Sequence, residues 1–147
     1  MMQFSHRVTS SWLWLLTGLF GFRVLAQLLV ANVDVAFLPS FERWHSATMP
    51  YAMLLLIQVV ILVVMGRTNT RYATQGLKTR TGLGRGLLVF GVIYLLGMLL
   101  RLVLGLTLYT GHPWFSKVIP TIFHLVLALW VLSIGWIYSY GTSKPHA

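Results

Sequence analysis

Apolar residues in this chain form four long runs that are separated by shorter polar segments. A helix needs about 20 apolar residues to cross the hydrocarbon core of a bilayer. A lone strand is excluded because its backbone groups would stay unpaired in lipid. The runs therefore predict an all-α integral membrane protein, a four-helix transmembrane bundle with spans at about residues 12–31, 48–66, 86–109 and 117–138. We expect residues 1–147 to form a single membrane domain.

Residues that begin and end helices agree with these spans. Ser10 or Ser11 can cap the first helix, and Pro50 suits the first turn of the second. Gly66 is expected to end the second helix, because glycine is common just past a helix end. The segment 67–85 is then expected to be a polar, mobile loop.

The composition of the chain indicates that lipid is its solvent. Its 147 residues are 57% hydrophobic and 9% charged, whereas about a quarter of the residues in a soluble domain are charged. The formal charge of +9 does not predict nucleic-acid binding, because the basic residues lie between apolar runs rather than on a polar domain. Cysteine is absent, which excludes disulfides, thiolate metal sites and cysteine nucleophiles.

Basic residues are unevenly divided between the two ends of the predicted bundle. The segment 67–85 contains no acid and five cations, namely Arg67, Arg71, Lys78, Arg80 and Arg85. The positive-inside rule places this end in the cytoplasm. With four spans both termini are then cytoplasmic, and we expect the protein in a bacterial inner (plasma) membrane. Trp12 and Trp136 at this end, with Trp44 and Trp114 at the other, agree with two aromatic belts.

The first outer connection, residues 32–49, contains a short amphipathic pattern. Ser40 can cap a short interfacial helix that lays Phe41 and Trp44 on the membrane surface. The outer loops also contain a cluster of residue types that can bind metals, made of Asp34, Glu42, His45 and His112. No HxxxH or HxH spacing links these residues, so no metal site is predicted.

Five polar side chains lie within the predicted spans, where such groups are costly unless they are paired or hydrated. We call them the polar layer, and they are Arg23, Gln27, Gln58, Arg101 and His124. At about 1.5 Å per residue, all five fall at a similar depth in the outer half of the bilayer. Two interpretations stay open. The residues form interhelical hydrogen bonds that stabilise the bundle, or they line a pocket for an anion, a quinone carbonyl or a lipid headgroup.

A haem site is a third interpretation of the polar layer. A b-type haem in a bundle needs axial ligands from two facing helices. His124 is well placed, and the second ligand would be Met53, Met65, Met98 or His45. Because this ligand set is weak, no cofactor is predicted, although haem and quinone both stay open.

The sequence favours a non-enzymatic protein. It contains no P-loop, GxSxG, HExxH or dinucleotide fingerprint, and no catalytic residue is predicted. We expect an accessory or assembly subunit of a larger membrane complex, with the lipid bilayer and other membrane protein subunits as partners. The alternatives are a binder of quinone, haem or lipid headgroup at the polar layer, and a small-solute carrier that works as an oligomer. The glycines of the third span lack the GxxxG pattern and are only a weak sign of oligomerisation.

Overall fold

The computed structural model describes residues 2–32, 50–108 and 118–141. The described chain folds into four α-helices: α1 (Met2–Asn32), α2 (Tyr51–Gln75), α3 (Thr81–Thr107) and α4 (Val118–Tyr140). Each contains a stretch long and apolar enough to cross a membrane. The prediction of four such helices is therefore confirmed. The interfacial helix that was predicted near Ser40 lies outside the described residues.

The second helix is longer than the sequence predicted. Gly66 does not end it, and the helix continues to Gln75. Gly76 ends it instead, with a φ of 72° and a backbone N–H that donates to the Tyr72 carbonyl. Glycine is tolerated inside a helix and ends one where the chain needs a positive φ. The expected loop 67–85 is therefore reduced to residues 76–80, and Asn69 becomes part of α2.

The helices pack in a fixed order across the bundle. Among the described residues, backbone contacts join α1 to α2, α1 to α4, and α3 to α4, and the α3–α4 contact is the most extensive. The short connection between α2 and α3 is bonded to the end of α4. The backbone N–H of Arg80 donates to the Tyr138 carbonyl at 2.9 Å, and Thr79 Oγ1 donates to the Gly141 carbonyl at 2.6 Å. This end of the bundle carries the basic segment, and we call it the basic end.

Small residues form the interface between α3 and α4. The buried small residues are Gly84, Gly91 and Gly105 on α3, and Thr121, Ala128 and Gly135 on α4. Their spacing is seven residues or a multiple of seven, which is the period of a coiled coil. A Cβ on Gly84 would lie 2.6 Å from the Ser139 nitrogen and 2.9 Å from the Gly135 carbonyl oxygen. The two backbones therefore lie closer together than larger side chains would allow.

The apolar core lies where α1, α2 and α4 meet. It contains eight buried side chains, which are Leu13, Leu16, Phe20, Val24, Met65, Trp130, Ile134 and Ile137. A smaller cluster around Ala26 and Val30 packs against Ile119 and Phe123 toward the other end. Many large apolar side chains point away from these clusters and are exposed, Leu25, Leu56 and Ile93 among them. A surface of this kind suits contact with lipid rather than water.

Candidate functional site

Asn69 is the centre of a buried hydrogen-bond group on the half of the bundle nearest the basic end. Its Nδ2 donates to the Leu13 carbonyl at 3.1 Å and to Thr17 Oγ1 at 2.8 Å. Its Oδ1 accepts from Trp130 Nε1 at 3.0 Å. Both amide hydrogens and the amide oxygen are thus bonded, and three helices are joined. From the sequence, Asn69 was expected in the loop 67–85, and this hydrogen-bond group was not predicted.

The glutamines of the polar layer pair with each other on the opposite half. Gln58 Nε2 on α2 donates to Gln27 Oε1 on α1 at 3.2 Å, and both side chains are buried. Gln27 Nε2 and Gln58 Oε1 have no hydrogen-bond partner within the described helices. This pair therefore leaves a buried donor group and a buried acceptor unused, which is uncommon because each costs about 1–3 kcal/mol.

Tyr94 joins the polar layer by pairing with His124. The Tyr94 hydroxyl on α3 and His124 Nδ1 on α4 lie 2.7 Å apart, within hydrogen-bond distance. The two rings meet edge to face, with centroids 6.1 Å apart. Sequence reasoning did not select Tyr94, although it lies seven residues before Arg101 and hence on the same face of α3.

Two arginines are buried in this region. Arg23 is 4% exposed and Arg101 is 6% exposed. Arg23 Cζ lies 5.6 Å from the centroid of the Phe123 ring, a cation–π contact. Its Nε has no hydrogen-bond partner within the described helices. Tyr94 and His124 lie within electrostatic range of both guanidinium groups.

The structure places the five predicted residues near one end of the bundle, opposite the basic end. Measured along the helix axes, they lie roughly 8 to 14 Å from the helix ends there, at 1.5 Å per residue. The described helices contain no Asp or Glu, because Asp34 and Glu42 are the chain's only two acids. Whether this layer is a functional site stays a prediction.

The predicted outer-loop cluster cannot be placed in the described structure. Asp34, Glu42, His45 and His112 lie outside it. Within the ranges 2–32, 50–108 and 118–141, no three His, Cys, Asp or Glu residues come together as metal ligands.

The methionines considered as haem ligands are scattered. Met65 belongs to the apolar core, Met53 is exposed, and Met98 is half-buried on α3. Among the described residues, the group that meets His124 is the Tyr94 hydroxyl. These contacts therefore pair none of the three methionines with His124, and His45 lies outside the described residues.

No protein-family model, curated protein or solved structure matches this chain. Fold and site therefore rest on the residues and their geometry.

Proposed function

We propose that the protein is an integral membrane protein that binds an anionic, oxygen-rich ligand at the polar layer. The observation that carries the proposal is the burial of Arg23 beside Tyr94 and His124, with its Nε engaged by no described residue. Arginine at the centre of a membrane helix costs about 2.5–3.5 kcal/mol on insertion scales. An anion held between the helices would offset that cost.

The chemistry of the layer suits phosphate or carboxylate oxygens. A guanidinium presents a planar fork of N–H donors that matches such groups in a bidentate manner. Arg23 Nε and Gln27 Nε2 are buried donors that no described residue engages. A phosphate-type ligand would satisfy both and would neutralise charge. A quinone carbonyl would accept hydrogen bonds but leave the charge in place, so the anion is the better match.

Ligand binding is tested by thermal unfolding of the full chain in mild detergent. We expect inorganic phosphate or a short-chain phosphatidic acid to raise Tm by several degrees over sodium chloride at equal ionic strength. Arg23→Gln should abolish the rise. Arg7→Gln, which removes an exposed cation at the basic end, should keep it. A rise with both probes identifies a free anion, and a rise with the lipid alone identifies a headgroup.

The main competing explanation is neutralisation from within the chain. Asp34 and Glu42 lie in the connection between α1 and α2, which follows the end of α1 nearest the polar layer. If they neutralise the arginines, neither probe raises Tm in the wild-type chain and the proposal is wrong. The double variant Asp34→Asn, Glu42→Gln should then lower Tm, whereas under our proposal it keeps the phosphate response.

The orientation that we propose places the polar layer in the outer half of a bacterial inner membrane, with both termini in the cytoplasm. In support, all five cations of segment 67–85 are exposed and lie at the basic end, namely Arg67, Arg71, Lys78, Arg80 and Arg85. Cytoplasmic ends of membrane proteins carry this excess of Lys and Arg. The ligand would then enter from the outer leaflet.

Two further roles from the sequence stay predictions. An accessory or assembly subunit would co-purify with a larger membrane complex in gentle detergent. A small-solute carrier would move solute across liposomes that contain this chain alone. Ligand binding at the polar layer is compatible with either role, and the result of the binding experiment does not depend on which role is correct.

A further inference from the structure

The Gln27–Gln58 pair leaves one hydrogen-bonding group of each kind unused. Gln58 Nε2 donates to Gln27 Oε1. Gln27 Nε2 and Gln58 Oε1 are then a buried donor and a buried acceptor without a hydrogen-bond partner within the described helices. Rotating both amide groups by 180° exchanges the two roles but again leaves one donor and one acceptor. An occupant that satisfies the pair must therefore both accept and donate a hydrogen bond.

Burial prevents bulk water from meeting this requirement. Gln27 has no exposed surface, and Gln58 is 3% exposed. Arg23 lies one turn before Gln27 on the same face of α1, and its buried Nε is a second donor without a partner in the described helices. Two donors on α1 and one acceptor on α2 are thus unused at a similar depth. The acceptor, Gln58 Oε1, limits the choice of ligand most.

Arg23 distinguishes an anion from a single buried water at this place. A water can accept from Gln27 Nε2 and donate to Gln58 Oε1, but it brings no charge to the guanidinium. An oxyanion accepts from Arg23 Nε and from Gln27 Nε2 through different oxygens and neutralises the cation. If all its oxygens are ionised, however, it sets a negative oxygen against the Gln58 carbonyl oxygen.

We propose that Gln58 Oε1 accepts an O–H from the ligand and makes the polar layer selective for a protonated phosphate group; the proposal rests on the anion binding proposed above. Hydrogen phosphate and the headgroup of phosphatidic acid share this chemistry, because each has acceptor oxygens and an O–H. Sulfate and phosphate diesters have acceptors alone. A site built to bond a hydroxyl discriminates strongly against an analogue that lacks it, since the buried partner is left unpaired.

Two matched pairs of anions test the proposal on the wild-type chain in mild detergent. Inorganic phosphate is compared with sulfate at equal ionic strength, and short-chain phosphatidic acid with phosphatidylmethanol, a diester without an O–H. The pH is 6, because the second pKa of a phosphate monoester is about 6 and much of the O–H is then retained. Sulfate carries the greater charge at this pH, so charge alone predicts the opposite order of affinities.

Titrations of Tm against each anion give the apparent affinities. We expect the anion with an O–H to bind at least about tenfold more tightly than its partner. Selectivity in both pairs identifies a free phosphate as a ligand, and selectivity in the lipid pair alone identifies a headgroup.

A matched pair of variants assigns the selectivity to Gln58. Gln58→Met keeps the length of the side chain but removes the amide, and it should bring the preference for phosphate over sulfate close to one. Gln75→Met makes the same change at an exposed position of α2 and should keep the wild-type preference. The wild-type comparison does not depend on how well either variant folds.

The outcomes separate this proposal from the anion binding on which it rests. Equal affinities within both pairs would overturn the role of Gln58 while leaving anion binding at Arg23 in place, and a water would then satisfy the amides. A preference that survives Gln58→Met would also overturn it, because another group would receive the O–H. If none of the four anions changes Tm, the anion binding itself is wrong.

Discussion

Buried amide side chains are used in two different ways in this bundle. The Asn69 amide is fully bonded, to α1 and to Trp130 on α4. Gln27 and Gln58 share one hydrogen bond and leave two buried atoms without a described partner. A buried polar side chain whose hydrogen bonds are all made stabilises the fold, whereas a buried polar atom without a hydrogen-bond partner needs an explanation. For this reason we treat Asn69 as structural and the polar layer as a ligand site.

Replacing Asn69 by leucine tests the structural role. Asn69→Leu keeps the branching of the side chain at Cγ but leaves Trp130 Nε1 without its acceptor and Thr17 Oγ1 without its donor. We expect the free energy of unfolding to fall by about 1–3 kcal/mol, the cost of a buried unpaired group. Unfolding in a denaturing detergent titration measures the change.

Thr70→Val is the matched control for that substitution. Its hydroxyl is exposed and bonds to Gly66 within α2, so the change should stay within about 0.5 kcal/mol. Equal effects of the two substitutions would contradict the special role of Asn69.

At the residue scale, the sequence predicted the side chains that are foreign to lipid but not their partners. Arg23, Arg101 and His124 were selected because charged and ionisable groups are rare in apolar spans. Tyr94 and Trp130 were not, since aromatic residues are common throughout membrane helices. Asn69 could have been found from Gln58 and Met65, because these three residues lie on one face of α2.

The α3–α4 pair depends on glycine at particular positions of its interface. The GxxxG pair of α3, Gly82 and Gly86, faces open space, whereas Gly84 and Gly91, which are seven residues apart, are buried against α4. A search for a four-residue period therefore misses a seven-residue one. Because the helices are antiparallel and their backbones are close, a single methyl group is enough to separate them.

Two glycines on α3 give a matched test of this interface. Gly84→Ala should lower the free energy of unfolding by about 1–3 kcal/mol, because its methyl group would meet the backbone of Ser139 and Gly135. Gly86→Ala should be neutral or stabilise by about 0.5–1 kcal/mol, since open space surrounds it and alanine favours helix. Thermal melts of both variants provide the comparison, and a stable Gly84→Ala chain would contradict the close packing.

At the element scale, the number of helices was predictable and their ends were not. Hydropathy reports where a helix meets lipid, and a helix can continue past that point. The polar segment of α2 beyond Met65 shows this, because Thr70 and Thr74 donate to carbonyls one turn earlier and the helix ends only at Gly76. A positive φ cannot be read from apolar periodicity.

The molecule as a whole has two chemically different ends. Exposed cations and the 76–80 connection occupy one, and the buried polar layer lies near the other. This two-ended arrangement follows from the order of residues along four antiparallel spans. The arrangement does not itself give an orientation in a membrane. The positive-inside rule predicts that the basic end lies in the cytoplasm.

Cysteine labelling tests the orientation, since the wild-type chain contains no cysteine. We expect His112→Cys, in the connection between α3 and α4, to react with a membrane-impermeant maleimide in intact cells. Lys78→Cys, in the 76–80 connection, should react only after the cells are broken. Both positions lie in connections between the predicted spans, so the difference reports the side of the membrane, and the reverse pattern would place the basic end outside.

The partners supplied by α4 have a consequence for how the protein is made. Phe123 contacts Arg23, Trp130 bonds to Asn69, and His124 pairs with Tyr94. All three partners are translated last, so in a membrane the first three helices would be inserted before their polar groups can make these contacts. A nascent chain that stops before Val118 lacks every one of these contacts. Such a chain would be a natural substrate for membrane chaperones and proteases, which recognise polar groups left in lipid.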